Sequence, residues 1–241
     1  MRAEARHQLK EDRFSKATFE AAEKTVNWSQ EHQGKLIVAV VAVAVLVAIG
    51  FGGWYYVKSQ DEKASFELAA AVRTLETPLR PAGTPEQPGF PTFESGTARA
   101  TEARKEFQAI ADKYPQTHTG KMARYFVGLA AAQLGDNATA ERNLQEAAGS
   151  SDADLASLGK FALASEYTNE KKDAQAIELY KQLIDRPTVL VPKVTAQLEL
   201  ASFYASHQKP DEARNIYTQI GKENPSSEAA QLAQRKAGEL K

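Results

Sequence analysis

The sequence predicts an all-α protein in which one transmembrane helix near the N-terminus precedes a solenoid of helical hairpins. Three observations carry this prediction. Residues 36–57 contain no charge, residues 58–241 space their apolar side chains by three and four, and the C-terminal part of the chain repeats with a period of 36 to 37 residues. The predicted organisation is a polar cytoplasmic tail at 1–35, a transmembrane helix at 36–57, and a helical domain at 58–241 with a Pro/Gly-rich loop at 80–96.

The tail at 1–35 mixes charges of both signs, with seven Lys or Arg and six Asp or Glu, and its apolar residues do not keep to one helical face. This pattern predicts a partly helical, solvated segment. Lys and Arg near the two ends of the apolar stretch are equal in number, three on each side. Over its whole length the tail is denser in basic residues than the first segment after the stretch. The positive-inside rule therefore favours a cytoplasmic tail and a domain on the other side of the membrane.

The stretch at 36–57 is long enough to cross a bilayer, because a helix rising about 1.5 Å per residue reaches roughly 33 Å and a hydrocarbon core is about 30 Å thick. A cleaved signal peptide is the alternative. The run is longer than a signal core, follows a long polar tail, and ends in aromatic residues instead of small ones, which favours a retained anchor. Aromatic side chains with polar tips prefer the membrane–water interface, so the sequence predicts that boundary at Trp54, Tyr55 and Tyr56.

The composition excludes several function classes. The formal net charge is −1, which gives no basic field for nucleic acid, and the absence of cysteine removes disulfides, thiolate zinc sites and cysteine nucleophiles. The four histidines are far apart in sequence, and no nucleotide-binding or hydrolase motif is present. We expect no enzyme activity, no catalytic residue, no metal, no cofactor and no small-molecule substrate.

The domain is predicted to begin with a helix at 59–79, since Leu68, Val72, Leu75 and Leu79 fall on one helical face. The following segment, 80–96, breaks the pattern with prolines and glycines and is predicted to be an exposed loop. In the first repeat unit, the loop occupies the sequence position at which the first helix would be expected. The helix at 59–79, which precedes the loop, is therefore expected to serve as the first helix of that unit.

The repeat is identified by four alanines spaced 37, 36 and 37 residues apart, with a larger apolar residue four positions after each. A small residue stands twelve positions before each of the last three alanines, and proline follows three of the four units. We interpret each period as two antiparallel helices that cross closely at small residues and end at the proline. The alanines are Ala103, Ala140, Ala176 and Ala213; the larger residues are Phe107, Leu144, Tyr180 and Tyr217; the small residues are Gly128, Ala164 and Ala201; the prolines are Pro115, Pro187 and Pro225.

This order of small residue, alanine, large apolar residue and proline resembles the tetratricopeptide repeat over residues 97–241. The early aromatic of that family is missing, and Arg124, Lys160 and Gln197 stand in its place. The resemblance implies a concave groove lined by the first helix of each pair, which is expected to take up an apolar helix or extended peptide. The alternative is that these side chains simply belong to the core. The implied partner-binding residues are Tyr125, Leu129, Phe161, Ser165, Leu198 and Ser202.

The arrangement of polar tail, single span and tetratricopeptide-like domain resembles the bacterial ancillary subunit family of the Sec translocon. The resemblance implies an inner-membrane protein whose domain lies in the periplasm and binds translocon subunits, periplasmic chaperones or client chains. The sequence leaves two alternatives open. One is a cytosol-facing receptor for targeting peptides, and the other is an envelope scaffold that organises a fixed assembly.

Overall fold

The computed structural model describes residues 33–85, 89, 91–223 and 225–240. The predicted all-α class is confirmed: the described residues form helices joined by turns and loops, with a single isolated β-bridge. The chain divides into two compact units, residues 1–56 and 57–241. Most of the predicted polar tail lies outside the described residues.

Helix α1 spans Gln33–Glu76 and contains the whole apolar stretch. It is the one helix in the described part of the chain that is long and apolar enough to cross a membrane. Its apolar side chains between residues 37 and 56 are exposed, unlike those of a core helix in a globular protein. The predicted extension of the helix to Leu79 is wrong. Pro78 lacks a backbone donor and disfavours helical geometry at Thr77, so the helix ends at Glu76 and Leu79 lies in the loop.

The loop after α1 is closed by a parallel bridge between Leu79 and Phe93. The Arg80 amide donates to the Phe93 carbonyl at 2.7 Å. Helix α2, Gly96–Lys113, follows, and the Ser95 hydroxyl caps it by accepting from the Ala98 amide. Gly96, predicted to be in the loop, is the first residue of this helix. Residues 57–76 of α1 pair with α2 as the first hairpin, because the apolar face of Leu68, Val72 and Leu75 packs on the cluster around Phe107.

Three further hairpins follow: α3 (His118–Gln133) with α4 (Asn137–Ala148), α5 (Ala153–Asn169) with α6 (Asp173–Asp185), and α7 (Lys193–Ser206) with α8 (Pro210–Glu223). A short helix, α9 (Glu228–Glu239), covers the last pair with Ala230 and Ala233, in the manner of a terminal cap of a helical repeat. Asp152 and Asp136 cap α5 and α4 through their carboxylates.

The core follows the predicted repeat. The four repeat alanines have no exposed surface, and each large apolar residue four positions later is also buried. Gly128 marks a close crossing, since a Cβ atom there would lie 2.9 Å from the Leu144 side chain. The turns within the hairpins also repeat. Gly135, Lys171 and Gln208 take a left-handed conformation, with φ of 75°, 60° and 58°.

Candidate functional site

A groove opens between α3 and α5, the first helices of the second and third hairpins. It encloses about 430 Å³. Its apolar lining comes from both walls and from one residue of α4, and its polar lining lies toward the C-terminal ends of α3 and α5. The apolar residues are Tyr125, Leu129, Ala132, Leu144, Phe161 and Ala162; the polar residues are Gln133, Ser165, Glu166 and Asn169.

The repeat explains why these side chains meet. Tyr125 and Phe161 are one period apart, so they take equivalent places on adjacent first helices, and Leu129 and Ser165 follow each one turn later. Leu144 reaches the groove because α4 approaches α3 closely at Gly128. The groove is therefore a direct product of hairpin stacking.

Four of the six predicted partner-binding residues line this one groove: Tyr125, Leu129, Phe161 and Ser165. The interpretation of the aromatic residues as core is partly correct as well. Tyr125 and Phe161 are half-buried, and the Phe161 ring packs edge-on against Tyr180 with 6.2 Å between centroids. Each of these two rings contributes to the core on one side and to the groove on the other.

Leu198 and Ser202 do not line this groove. Leu198 packs in the cluster that joins α7, α8 and α9, while Ser202 is exposed. The space between α5 and α7 is filled, since Phe203 is buried and belongs to the same core cluster as Phe161 and Tyr204. Phe203 occupies the repeat position that Glu166 has in α5, so a ring replaces the carboxylate.

Glu166 is the functional candidate that the sequence analysis missed. It is 5% exposed and is the one charged residue among the described residues that line the groove. Burial raises the pKa of its carboxyl group, and the nearby charge of Glu170 raises that pKa further. The signal was present in the spacing, because Ala162, Glu166 and Asn169 follow at four and three residues and so share the groove face of α5.

An ion-pair network ties the second hairpin to the third beside this groove. Lys172 contacts Glu141 and Glu170, each at 2.7 Å, and the Tyr167 hydroxyl donates to Glu141 at 2.9 Å. Lys172 lowers the pKa of Glu141, which keeps that carboxylate charged. Lys172 is thus committed to Glu141 and Glu170, whereas Glu166 forms no ion pair within 4 Å among the described residues.

The same connection occurs one period earlier with the charges reversed. Arg104 of α2 contacts Asp136, in the turn between α3 and α4, at 2.9 Å. Each pair joins a second helix to the turn of the next hairpin. The Glu141–Lys172 pair thus links the two hairpins whose first helices form the walls of the groove.

A larger cavity, of about 610 Å³, lies near the junction of α4 with α5. Its lining is more strongly charged and includes Lys121, Arg124 and Glu146. Arg124 and Glu146 contact each other at 2.5 Å, so their charges are satisfied within the chain. Throughout the described ranges, no three His, Cys, Asp or Glu side chains come together as a candidate metal site.

Stacked helical hairpins with a groove between successive first helices define a helical-repeat protein, a class whose extended surfaces bind other proteins. The family model described as a tetratricopeptide repeat-like domain matches residues 26–241, and the chain belongs to this family. The match includes the apolar stretch as well as the hairpins. Domains of this family are generally non-catalytic modules that bind protein partners. Neither the curated proteins nor the solved structures gave a significant match.

Proposed function

We propose that this is a single-pass membrane protein whose tetratricopeptide-like domain holds a protein partner in the groove between α3 and α5. The observation that carries the proposal is the groove itself. It combines aromatic and aliphatic walls with a buried carboxylate, Glu166, that has no ion-pair partner of its own. Partner grooves in helical proteins take up an amphipathic helix or an extended peptide in this way.

The apolar stretch at 36–57 serves as the anchor. Its side chains are exposed, so in water they would present a long uncovered apolar surface, which a bilayer would cover. The family match starts before this stretch, which supports a retained part of the protein and not a cleaved signal. Trp54, Tyr55 and Tyr56 are exposed at its end and are suited to the membrane interface.

The polar tail is assigned to the cytoplasm and the repeat domain to the periplasm of the bacterial inner membrane. The higher basic density of the tail supports this orientation. The whole arrangement resembles the ancillary subunit of the Sec translocon, and its partners are then translocon subunits, periplasmic chaperones or emerging client chains. Anchoring confines the domain near the membrane and so raises its effective concentration at an exit site.

Site-specific photocrosslinking in membranes tests the groove. A photoreactive phenylalanine at Ser165 lies in the groove, and the same residue at Ser202 lies at the equivalent repeat position outside it. Both serines are exposed, so neither replacement should disturb the core. We expect protein adducts at position 165 that are absent or much weaker at position 202.

The adducts also identify the partner class. Translocon or chaperone subunits would support the Sec assignment, and many different secreted chains would support direct contact with clients. One fixed protein outside those groups would favour an envelope scaffold. Equal labelling at positions 165 and 202, or no labelling at either, would contradict the groove as the binding site.

A further inference from the structure

An exposed apolar pair forms the tip of the turn between α6 and α7. Val189 is 87% exposed and Leu190 is 51% exposed, while the next residue, Val191, is buried. The central positions of tight turns usually hold Gly, Pro, Asn or Asp, which tolerate solvent and unusual dihedral angles. Two adjacent aliphatic residues are therefore unusual at such a tip, and the domain itself leaves both exposed.

The turn is ordered by hydrogen bonds. The Thr188 amide donates to the Val191 carbonyl at 3.1 Å, and the Val191 amide donates to the Thr188 hydroxyl at 3.2 Å. The Thr188 hydroxyl also lies 2.8 Å from the hydroxyl of the buried Ser157. The backbone thus holds Val189 and Leu190 outward as a defined projection.

This turn lies at one particular edge of the domain, called here the proximal edge, where second helices end and the next first helices begin. The edge comprises the loops at 114–117, 149–152 and 186–192. Side-chain contacts connect it step by step from the start of the domain to the turn. They are Asp61 to the Thr119 amide at 2.8 Å, His118 to Asp152 at 3.3 Å, and Ser157 to Thr188 at 2.8 Å.

The domain unit begins at Val57, and Asp61, one turn later, already contacts the proximal edge. The chain therefore enters the domain at the same edge that carries the apolar turn. Antiparallel hairpins place the other turns, such as the one at Lys171, at the opposite edge. Arg186 precedes the apolar tip and can face anionic lipid, whereas Lys193, at the start of α7, is paired with Glu223 at 2.7 Å.

We infer that Val189 and Leu190 insert into the interface of the bilayer that the apolar stretch crosses, giving the domain a second membrane contact. The inference rests on the proposed anchoring. A domain held at two points keeps its proximal edge on the lipid, while the turns of the opposite edge face away from the membrane.

The full chain in vesicles provides the test. Because the sequence lacks cysteine, Val189→Cys gives a single labelling site for an environment-sensitive fluorophore. Ala174→Cys is the matched control: it is exposed and lies at the other end of α6, roughly 20 Å away at about 1.5 Å per residue. The vesicles contain phosphatidylethanolamine, phosphatidylglycerol and a lipid that carries a nitroxide quencher just below the headgroups. Leu190→Cys repeats the measurement at the neighbouring position.

We expect a blue-shifted emission at position 189 and nitroxide quenching at least about twice that at position 174, since interfacial side chains reach about 5–10 Å below the headgroups. Equal, weak quenching at both positions in alkali-resistant proteoliposomes overturns the inference and leaves the anchor intact. A blue shift that increases with protein density and occurs without lipid quenching indicates contact with a second copy of the chain, and this result also overturns the inference. Loss of the protein from the vesicles after an alkaline wash would refute the anchor, and the inference with it.

Discussion

Replacement of Gly159 by alanine should destabilise the domain at the crossing of α4 and α5. A Cβ atom at this position would lie 2.4 Å from the Ala148 nitrogen and 2.6 Å from the Ala147 carbonyl carbon. These neighbours are backbone atoms, so no side-chain rotation relieves the overlap and one helix must move. Phe161 stands two residues later in α5, so the displacement would also disturb one wall of the groove.

Two opposing terms set the magnitude. Alanine favours the helix over glycine by about 1 kcal/mol, whereas overpacking typically costs about 1–3 kcal/mol and more when backbone must shift. Because the overlap involves backbone atoms, we take an overpacking cost of about 3 kcal/mol and expect the free energy of unfolding to fall by about 2 kcal/mol. In a domain of this size that corresponds to a fall of about 4–8 °C in the melting temperature.

Thermal melts followed by circular dichroism on the detergent-solubilised chain measure the effect. Gly238→Ala is the control, because a Cβ atom at Gly238 in α9 meets nothing within 4 Å. This variant should melt at the wild-type temperature or slightly above it. If Gly159→Ala melted together with Gly238→Ala, the close crossing of α4 and α5 would be wrong.

Four further substitutions test separate parts of the structure. Gln197 is 2% exposed, and its Oε1 atom has no hydrogen-bond partner in the described part of the chain. Its Nε2 atom makes only a long hydrogen bond to Glu223, at 3.4 Å, so Gln197→Met should raise the free energy of unfolding by about 1 kcal/mol in urea titrations, and a loss of stability would contradict this. Gly135 has a φ of 75°, and Gly135→Ala should cost about 1–2 kcal/mol in the same assay, where no change would refute the strain. Burial raises the pKa of Tyr180 to about 12 from 10.0, so the stability that its neutral form provides is complete below pH 10 and is lost as the pH rises toward 12. Tyr180→Phe should therefore reduce the fall of the free energy of unfolding between pH 10 and pH 12. An unchanged pH profile would contradict this. The pKa of Glu166 is also raised, mainly by burial, so its charged form opposes folding at neutral pH. Glu166→Gln should therefore be more stable than the wild type at neutral pH, and the two proteins should be equally stable in acid, where both side chains are neutral. An equal or lower stability of the variant at neutral pH would contradict the burial of Glu166.

The repeat could be predicted from the sequence because each of its signals has a local physical cause. Only a small side chain permits two helices to cross closely, and this requirement placed Ala140, Ala176 and Ala213 in the core. Proline marked the ends of the second helices, since α2 ends just before Pro115 and α6 just before Pro187. The same rule, applied to Pro78, would have ended α1 at the correct place.

The composition of the groove could be predicted only in part, because it depends on contacts between hairpins. The repeat period aligns Tyr125 with Phe161, but it aligns Leu198 with them as well. Only the packing shows that Phe203 fills the space between α5 and α7. Glu166 was missed because a family pattern of apolar positions carries no information about a single buried carboxylate.

Ion pairs between hairpins were missed for a related reason. Arg104 with Asp136 and Glu141 with Lys172 occupy matching repeat positions with reversed charge. A comparison of residue types alone therefore does not align them. Their spacing of 32 and 31 residues would have revealed the pairs to a search for opposite charges one hairpin apart.

Protease treatment of intact spheroplasts tests most directly whether the repeat domain is held at the outer face of the inner membrane. Epitopes on the tail and on the C-terminus are followed separately before and after lysis. We predict that the C-terminal epitope is degraded in intact spheroplasts while the tail survives in a membrane-protected fragment that extends to about residue 57. Survival of the domain until the cells are lysed would contradict the proposed orientation and would favour a receptor that faces the cytosol.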